Sequence, residues 1–178
     1  MSRIGKKPVV IPQGVSVTCE KNLVTVKGPK GTLTFQHHMD VSLKFGENEF
    51  TVEKESKAKN VPAIWGTTAR VIENMIEGTV NGFKKQLELN GVGFRMNIAG
   101  KTITLALGFS HPVIVEVPAE LEVVIEGNTM TVSGIDKHLV GQFSANIRAL
   151  KPVEPYKGKG FKYVGEHVRR KEGKKSSK

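Results

Sequence analysis

Cysteine, long apolar runs and aromatic residues are all scarce in this sequence. The single cysteine, Cys19, cannot form an intramolecular disulfide, so we expect a reducing compartment such as the cytoplasm. The longest apolar stretch, residues 103–109, is far shorter than the roughly 20 residues that span a bilayer, so we expect no membrane helix. Pro8 and Pro12 interrupt the apolar residues near the start, and we therefore expect no signal peptide.

The sequence has a large positive net charge, and all of this net charge comes from its two ends. The formal net charge is +10, of which residues 1–8 contribute +3 through Arg3, Lys6 and Lys7, and residues 151–178 contribute +7. Residues 9–150 carry no net charge. A surface made basic only for solubility would spread its charge along the chain. Segregation at the ends instead indicates contact with a polyanion.

The sequence contains no motif for catalysis, nucleotide binding or metal binding. Its glycine-rich segments, such as 28–31 and 91–93, lack the spacing of phosphate-binding and dinucleotide-binding loops. One cysteine and five scattered histidines do not make a zinc site. Cys19 alternates with Val15 and Val17, has no recognisable base, and is expected to be a buried small hydrophobe. We therefore expect no enzyme, no cofactor, no metal and no small-molecule substrate.

The later part of the chain repeats the earlier part. Residues 41–45 align with 121–125, and residues 48–52 align with 128–132, each with the alternation of a strand. After a two-residue change in offset, Trp65 aligns with Phe143, and Gly82-Phe83 with Gly160-Phe161. The same order of elements in both copies indicates an internal duplication.

Each copy contains one helical pattern among the predicted strands. In copy one Asn60 is the expected N-cap, Pro62 suits the first turn and Gly78 is the expected end; in copy two the helix should lie between Asp136 and Pro152. Turn signals at 28–31, 90–91 and 127–128 separate the strands, and residues 91–95 are expected to form a hairpin. These features predict an α+β fold of two tandem, structurally similar domains, each an antiparallel β-sheet packed with one α-helix, followed by a basic C-terminal tail. The expected boundaries are 1–8 for a basic N-terminal arm, 9–81 and 82–152 for the domains, and 153–178 for a basic RNA-binding extension.

The segment 155–163 carries the strongest functional signal. Its lysines can neutralise phosphates, and its glycines allow the backbone to approach a ligand closely. The rings of Tyr156, Phe161 and Tyr163 could either stack on RNA or pack against the second domain, and the sequence leaves both interpretations open. The stretch after residue 168 is too polar to fold alone and is expected to become ordered only against a partner.

Nearly the whole chain resembles the bacterial-type L-six family of large-subunit ribosomal proteins. The resemblance is carried, in the family's order, by residues 2–8, 26–31, 65–70, 89–95, 107–113 and 156–160 with its continuation to Lys175. Val153 departs from the family's pattern, which often has proline there. The resemblance implies a structural role in subunit assembly and translation. It also implies binding to 23S-type ribosomal RNA near the sarcin-ricin loop and the factor-binding region.

The resemblance further implies that the second domain and the tail are the main RNA-contacting parts. The partners it implies are 23S-type RNA and neighbouring large-subunit proteins, with translation factors nearby, in the cytoplasm within the ribosome. Together with the charge pattern, it gives as candidate RNA-binding residues Arg3, Lys6, Lys7, Gly91, Gly93, Arg95, Tyr156, Lys157, Gly158, Lys159, Gly160, Lys162, Arg169, Arg170, Lys171, Lys174 and Lys175.

Two other interpretations fit the charge pattern less well. A free-standing RNA chaperone or DNA-associated protein would share the basic ends, whereas an enzyme acting on RNA would need a general base or a metal site. The two copies also differ, because residues 76–82, the counterpart of the lysine-glycine segment, contain no basic residue. Our hypothesis is that copy one faces proteins or solvent.

Overall fold

A computed structural model describes residues 4–46, 48–56 and 58–173. Contacts divide the chain into two compact units: unit 1 comprises residues 1–83 with 135–137, and unit 2 comprises residues 84–134 with 138–178. The described residues form thirteen strands and two helices, neither of which is long and apolar enough to cross a membrane. The eight strand pairs whose register is defined are antiparallel, which confirms the α+β class.

Unit 1 contains two three-stranded sheets and one helix. The first sheet has the order β1 (Val9–Val10), β6 (Glu49–Lys54) and β5 (Val41–Phe45). The second has the order β2 (Ser16–Glu20), β3 (Leu23–Gly28) and β4 (Gly31–Gln36). The helix α1 (Val61–Val80) contacts both sheets, and its apolar stripe closes the core. The buried core residues are Val24, Val26, Val41, Phe50, Val52, Trp65, Ala69, Ile72, Met75 and Ile76.

Unit 2 repeats this arrangement and adds one strand. One sheet has the order β10 (Val113–Glu116), β9 (Thr102–Ala106) and β8 (Arg95–Ala99). The other has the order β11 (Leu121–Glu126), β12 (Thr129–Gly134), β7 (Phe83–Asn90) and β13 (Gly160–Tyr163), and the helix is α2 (Lys137–Leu150). Strands β7 to β12 therefore pair as β1 to β6 do, and β13 is the addition.

The register of the strands supports the duplication. Leu43 of β5 pairs with Val52 of β6, and Val123 of β11 pairs with Val132 of β12, at the positions that the sequence repeat aligns. In each unit the strands divide between two sheets, where the sequence suggested one.

The end of α1 corrects one prediction. The helix continues through Gly78 and ends at Val80, where the N–H groups of Asn81 and Gly82 donate to the carbonyls of Glu77 and Gly78. Gly82, with a φ of 74°, provides the left-handed residue that terminates a helix. Gly78 is needed for close packing, because a Cβ there would lie 2.0 Å from a backbone oxygen. At the other end α1 begins after Asn60 as predicted, although the Asn60 side chain makes no capping hydrogen bond.

The connection 91–95 corrects a second prediction, since its turn residues suggested a hairpin. It leads from β7 in one sheet to β8 in the other, and these two strands do not pair. Both edges of β7 are already occupied, by β12 and β13, so β8 pairs with β9 instead. The prediction of a turn at these residues is correct, but the strands on its two sides pair with other strands and not with each other.

Candidate nucleic-acid interface

The lysine-glycine segment forms a closed loop that leads into β13. The Glu154 N–H donates to the carbonyl of Lys159 (2.9 Å), and the Gly158 N–H donates to the carbonyl of Glu154 (3.2 Å). The Glu154 side chain also accepts the Lys157 N–H at 3.2 Å. Gly158, with a φ of 71°, makes the reversal possible. The loop 154–159 is therefore folded within the chain itself.

The strand β13 anchors the far end of this loop. It pairs with β7 from Gly160 opposite Asn90 to Tyr163 opposite Leu87. The N–H of Phe161 donates to the carbonyl of Lys151 at 2.8 Å, and the Phe161 ring is fully buried. Gly160 is buried too, and its close backbone approach is to the carbonyls of Lys151 and Pro152. The structure thus gives Gly160 an internal packing role, whereas RNA contact at this glycine stays a prediction.

The three rings of the segment lie in different environments. Phe161 belongs to the core of unit 2 and Tyr163 is partly buried, with Lys85 and Arg148 near its ring at 5.6 and 5.5 Å. Tyr156 is 57% exposed. Of the two interpretations left open by the sequence, packing holds for Phe161, and Tyr156 remains available for stacking.

The lysines of the segment also differ in their partners. Lys157 is exposed and Lys159 partly exposed, and neither forms a salt bridge within the described residues. Lys162 lies opposite Glu88 on β7 and forms a 3.0 Å salt bridge with it. This contact is the main reason why the pKa of Glu88 lies below its usual range. Lys157 and Lys159 therefore carry charge available to a phosphate, while that of Lys162 is partly matched.

The described tail, 164–173, folds back along the loop. Glu166 accepts the backbone N–H of Tyr163 at 2.9 Å and a hydrogen bond from Arg148 at 2.6 Å, and in that order these donors hold its pKa below the usual value. The N–H of Lys171 donates to the carbonyl of Pro155 at 2.9 Å. This hydrogen bond joins the described tail to the loop, whereas ordering of the tail against a partner stays a prediction.

An open, mainly polar cleft of about 400 Å³ lies between the loop and the tail. It is lined by Asn90, Val153, Gly158, Lys162, Glu166, His167, Val168 and Arg170. Arg170 lies close to Gly158, since a Cβ on that glycine would be 3.5 Å from the guanidinium. Arg169 and Lys171 are exposed on either side of Arg170, whereas Lys174 and Lys175 lie outside the described residues.

The second group of candidates, Gly91, Gly93 and Arg95, begins next to this loop. Asn90 pairs with Gly160, so the connection 91–95 leaves β7 where the loop enters β13. Gly93 has a φ of 83° and open space around it, and Arg95 is exposed. Gly91 lies against the Phe94 ring, which a Cβ would approach to 2.7 Å. The structure therefore brings two separate candidate segments into one region of unit 2.

The N-terminal candidates belong to unit 1 instead. Lys6 and Lys7 are exposed, beside a buried Gly5 that lies against the ring of Trp65. Arg3 lies outside the described residues. The basic ends are therefore parts of different units.

Two residues near the interface were missed by sequence reasoning. Lys151 lies 4.9 Å from the ring centroid of Phe109, and Phe109 is 47% exposed. The one sequence feature that could have indicated this contact is the aromatic residue Phe109 among the turn residues 108–112. Lys151 was counted in the basic end but was not nominated as a contact.

Cys19 is only partly buried against the core of unit 1, where the sequence predicted a buried residue, and it has a histidine beside it. Its sulfur lies 3.6 Å from Nε2 of the buried His37, whose Nδ1 is 2.9 Å from the carbonyl of His38. Burial raises the pKa of the Cys19 thiol, which opposes formation of a nucleophilic thiolate. Among the described residues, no group of three or more His, Cys, Asp or Glu side chains could hold a metal ion.

Comparison with known proteins extends over both units. The family model described as "Ribosomal protein L6" matches residues 11–82 and 90–164. A "Large ribosomal subunit protein uL6" from Fusobacterium nucleatum subsp. nucleatum is 49% identical over 177 residues, which cover 99% of this chain and 100% of the relative. The protein of the same description from Shouchella clausii is 50% identical over 175 residues, 98% of each chain. A third, from Carboxydothermus hydrogenoformans, is 49% identical over 179 residues, 100% of this chain and 98% of the relative. Since the family model matches both copies of the repeat and these relatives match the chain almost end to end, the chain belongs to the ribosomal protein L6 family.

Proposed function

We propose that this chain binds 23S-type ribosomal RNA near the sarcin-ricin loop and the factor-binding region, and that the basic loop of unit 2 is its main RNA contact. Family membership makes the chain a non-catalytic, structural constituent of the large ribosomal subunit, in the cytoplasm. Its partners are then ribosomal RNA and neighbouring large-subunit proteins. Proximity to translation factors is part of the proposal.

The observation that carries the proposal is the unmatched charge of Lys157 and Lys159 and their position on a folded loop. Both ammonium groups lack a salt bridge within the described residues, and both stand on a loop that hydrogen bonds and β13 hold in place. Cations on a backbone that is already held in place release counterions from RNA without a large loss of backbone entropy. Arg170 extends the same positive surface, because it lies against Gly158.

The other candidates are assigned smaller parts. Lys162 is partly neutralised by Glu88, so it should contribute less than Lys157. Gly93 and Arg95 extend the RNA-binding surface beside the loop, and the exposed Tyr156 offers a ring to a base. The remaining proposed contacts are Lys6, Lys7, Arg169 and Lys171, together with Arg3, Lys174 and Lys175 outside the described residues. Copy one, residues 9–81, is proposed to face proteins or solvent.

The test measures the affinity of the full chain for a 23S ribosomal RNA transcript over a series of salt concentrations. The double variant Lys157→Ala/Lys159→Ala should bind more weakly, and its log-log salt slope should be flatter by about 1.4, at about 0.7 per phosphate contact. The control Lys27→Ala/Lys59→Ala removes the same charge from exposed positions of unit 1 and should keep the parent slope. Equal slopes for the two double variants would contradict the assignment of the loop.

A second measurement separates a ribosomal protein from a free-standing nucleic-acid binder. Large subunits from cells that express this chain are washed at moderate salt and sedimented. A constituent of the subunit stays in the pellet, whereas a chaperone remains in the supernatant. Recovery of the chain in the supernatant alone would overturn the proposed function.

A further inference from the structure

Lys151 lies between two aromatic rings on the surface of unit 2. Its Nζ is 4.9 Å from the centroid of Phe109 and 5.9 Å from that of Phe94. Both distances are within the range of about 6 Å over which a ring face attracts a cation. Lys151 forms no salt bridge in the described part of the chain. The rings thus hold the ammonium group in place without neutralising its charge.

The Phe94 ring is locked by two glycines from different loops. A Cβ on Gly91 would lie 2.7 Å from Phe94 Cδ2, and one on Gly108 would lie 3.2 Å from Phe94 Cε1. The Phe94 N–H also donates to the carbonyl of Gly91 at 3.2 Å. Because the glycines let the ring pack directly on both backbones, loops 91–95 and 108–112 are joined through it. The support beneath Lys151 is therefore formed before any ligand binds.

The outer part of this group is open and apolar. Phe109 is 47% exposed, and Val92, at the tip of the connection 91–95, is 92% exposed. An exposed ring with a fixed cation beside it matches a nucleotide, whose base presents a π-face and whose phosphate presents a negative charge. The surroundings favour RNA over a protein partner, since Arg95 is exposed nearby and the Lys151 carbonyl packs against Gly160 of the basic loop.

We propose that Lys151, Phe94 and Phe109 form a platform for one unpaired RNA nucleotide. The base stacks on the exposed face of Phe109, and Lys151 neutralises an adjoining phosphate. The platform rests on the proposed function, because it takes the same RNA as its ligand. It adds a second stacking contact, besides the one proposed for Tyr156, to a surface whose other contacts are mainly to phosphates.

Two substitutions separate the stacking contact from the charge. Phe109→Leu keeps an apolar side chain but removes the ring, so affinity for the 23S transcript should fall about tenfold with an unchanged salt slope. Lys151→Met keeps the length of the side chain and should flatten the slope by about 0.7. The matched controls are in unit 1: Phe45→Leu, at a ring 45% exposed, and Lys54→Met, at a lysine 4.6 Å from the Trp65 ring. Both controls should bind like the parent chain.

The outcomes distinguish the platform from the proposed function. If Phe109→Leu binds like the parent while Lys157→Ala/Lys159→Ala weakens binding, the platform is rejected and the basic loop stands. If both bind like the parent, both proposals fail. Ultraviolet crosslinking of the parent complex should recover a nucleotide on the peptide that contains Phe109, whether or not the variants fold. Recovery of crosslinked peptides only from elsewhere in the chain would reject the platform.

Discussion

Replacing Gly160 with alanine tests whether β13 is an integral strand of unit 2. Gly160 has a φ of 127°, which L-residues rarely adopt. Its Cβ would lie 2.6 Å from the carbonyl oxygen of Pro152 and 2.7 Å from that of Lys151. These are backbone atoms, held by the hydrogen bond from Phe161 to Lys151, so no side-chain rotation can relieve the clash.

The size of the effect follows from two costs. A side chain at this φ costs on the order of 1–3 kcal/mol, and forced overpacking adds about 1–3 kcal/mol. The destabilisation is limited by the free energy lost when β13 detaches from the sheet. Detachment would expose Phe161, at a cost of about 1.5–3 kcal/mol, and would also break the hydrogen bonds of the strand. We therefore expect Gly160→Ala to destabilise unit 2 by about 2–6 kcal/mol, the sum of the two costs. Gly165→Ala is the control, because Gly165 has a φ of 83° with no atom within 4 Å of a Cβ, and strain alone costs about 1–2 kcal/mol.

Urea unfolding of the full chain can be followed for each unit separately. The only tryptophan is Trp65 in unit 1, while both tyrosines, Tyr156 and Tyr163, are in unit 2. Gly160→Ala should lower the midpoint reported by tyrosine well below that of Gly165→Ala, with a smaller change in the tryptophan signal. Equal tyrosine midpoints for the two variants would refute the reasoning that backbone contact fixes this glycine.

Three further predictions concern ionisable groups. Glu88→Gln should strengthen binding to the 23S transcript and steepen its salt slope, because it frees Lys162 from its salt bridge; an unchanged slope would show that Lys162 makes no phosphate contact. The pKa of Glu166 is lowered chiefly by the Tyr163 N–H, so the stability it contributes is present at neutral pH and is lost as the pH falls through its folded-state pKa. The parent chain should thus be more stable than Glu166→Gln at pH 7. This difference in stability should shrink as the pH falls below the ordinary glutamate pKa of about 4.3, and a difference that does not change with pH would contradict this. Burial raises the pKa of Cys19, so a thiol reagent should label the native chain at pH 7 much more slowly than the urea-unfolded chain, and comparable rates would contradict it.

The sequence was sufficient to predict both helices, several of the strands and the repetition of these elements, but not β13, which lies in the predicted basic extension. Period-two alternation placed β5 and β11, and the helical stripe placed α1 and α2, because burial of one face requires a periodic pattern. The repeat then gave the duplication, which no single element reveals. These signals succeed because they arise from neighbours in the sequence.

The errors concern features that depend on residues distant in the sequence. The connection 91–95 has the chemistry of a hairpin turn, but β7 pairs with β12 and with β13, about 70 residues later. Gly78 resembles a helix stop, yet its lack of a side chain serves packing against the carbonyl of Ile135. A glycine predicts that a side chain is not tolerated, but it does not predict which neighbour excludes it.

The candidate site likewise combines features that depend on the local sequence with features that depend on distant residues. Composition gives the positions of the positive charges along the chain, but only the structure shows that Lys157 is exposed while Lys159 and Lys162 are partly buried. Composition could not show that Glu88, 74 positions earlier, would partly neutralise Lys162, or that Lys151 would meet Phe109. Salt bridges and ring contacts between strands depend on register, which the sequence left open.

In the proposed function, the position of β13 explains how one duplicated scaffold presents the lysine-glycine loop to RNA in one copy only. In unit 1 the chain leaves α1 through 78–82 without a basic residue, whereas in unit 2 it leaves α2 through the loop 154–159 and returns to pair with β7. A basic tail that became ordered on binding would lose part of its interaction free energy to conformational entropy. Here hydrogen bonds and the buried ring of Phe161 hold the loop before RNA arrives, so that free energy is retained for the phosphate contacts. In the proposed function, the added strand thus holds the basic loop in place as a surface for RNA.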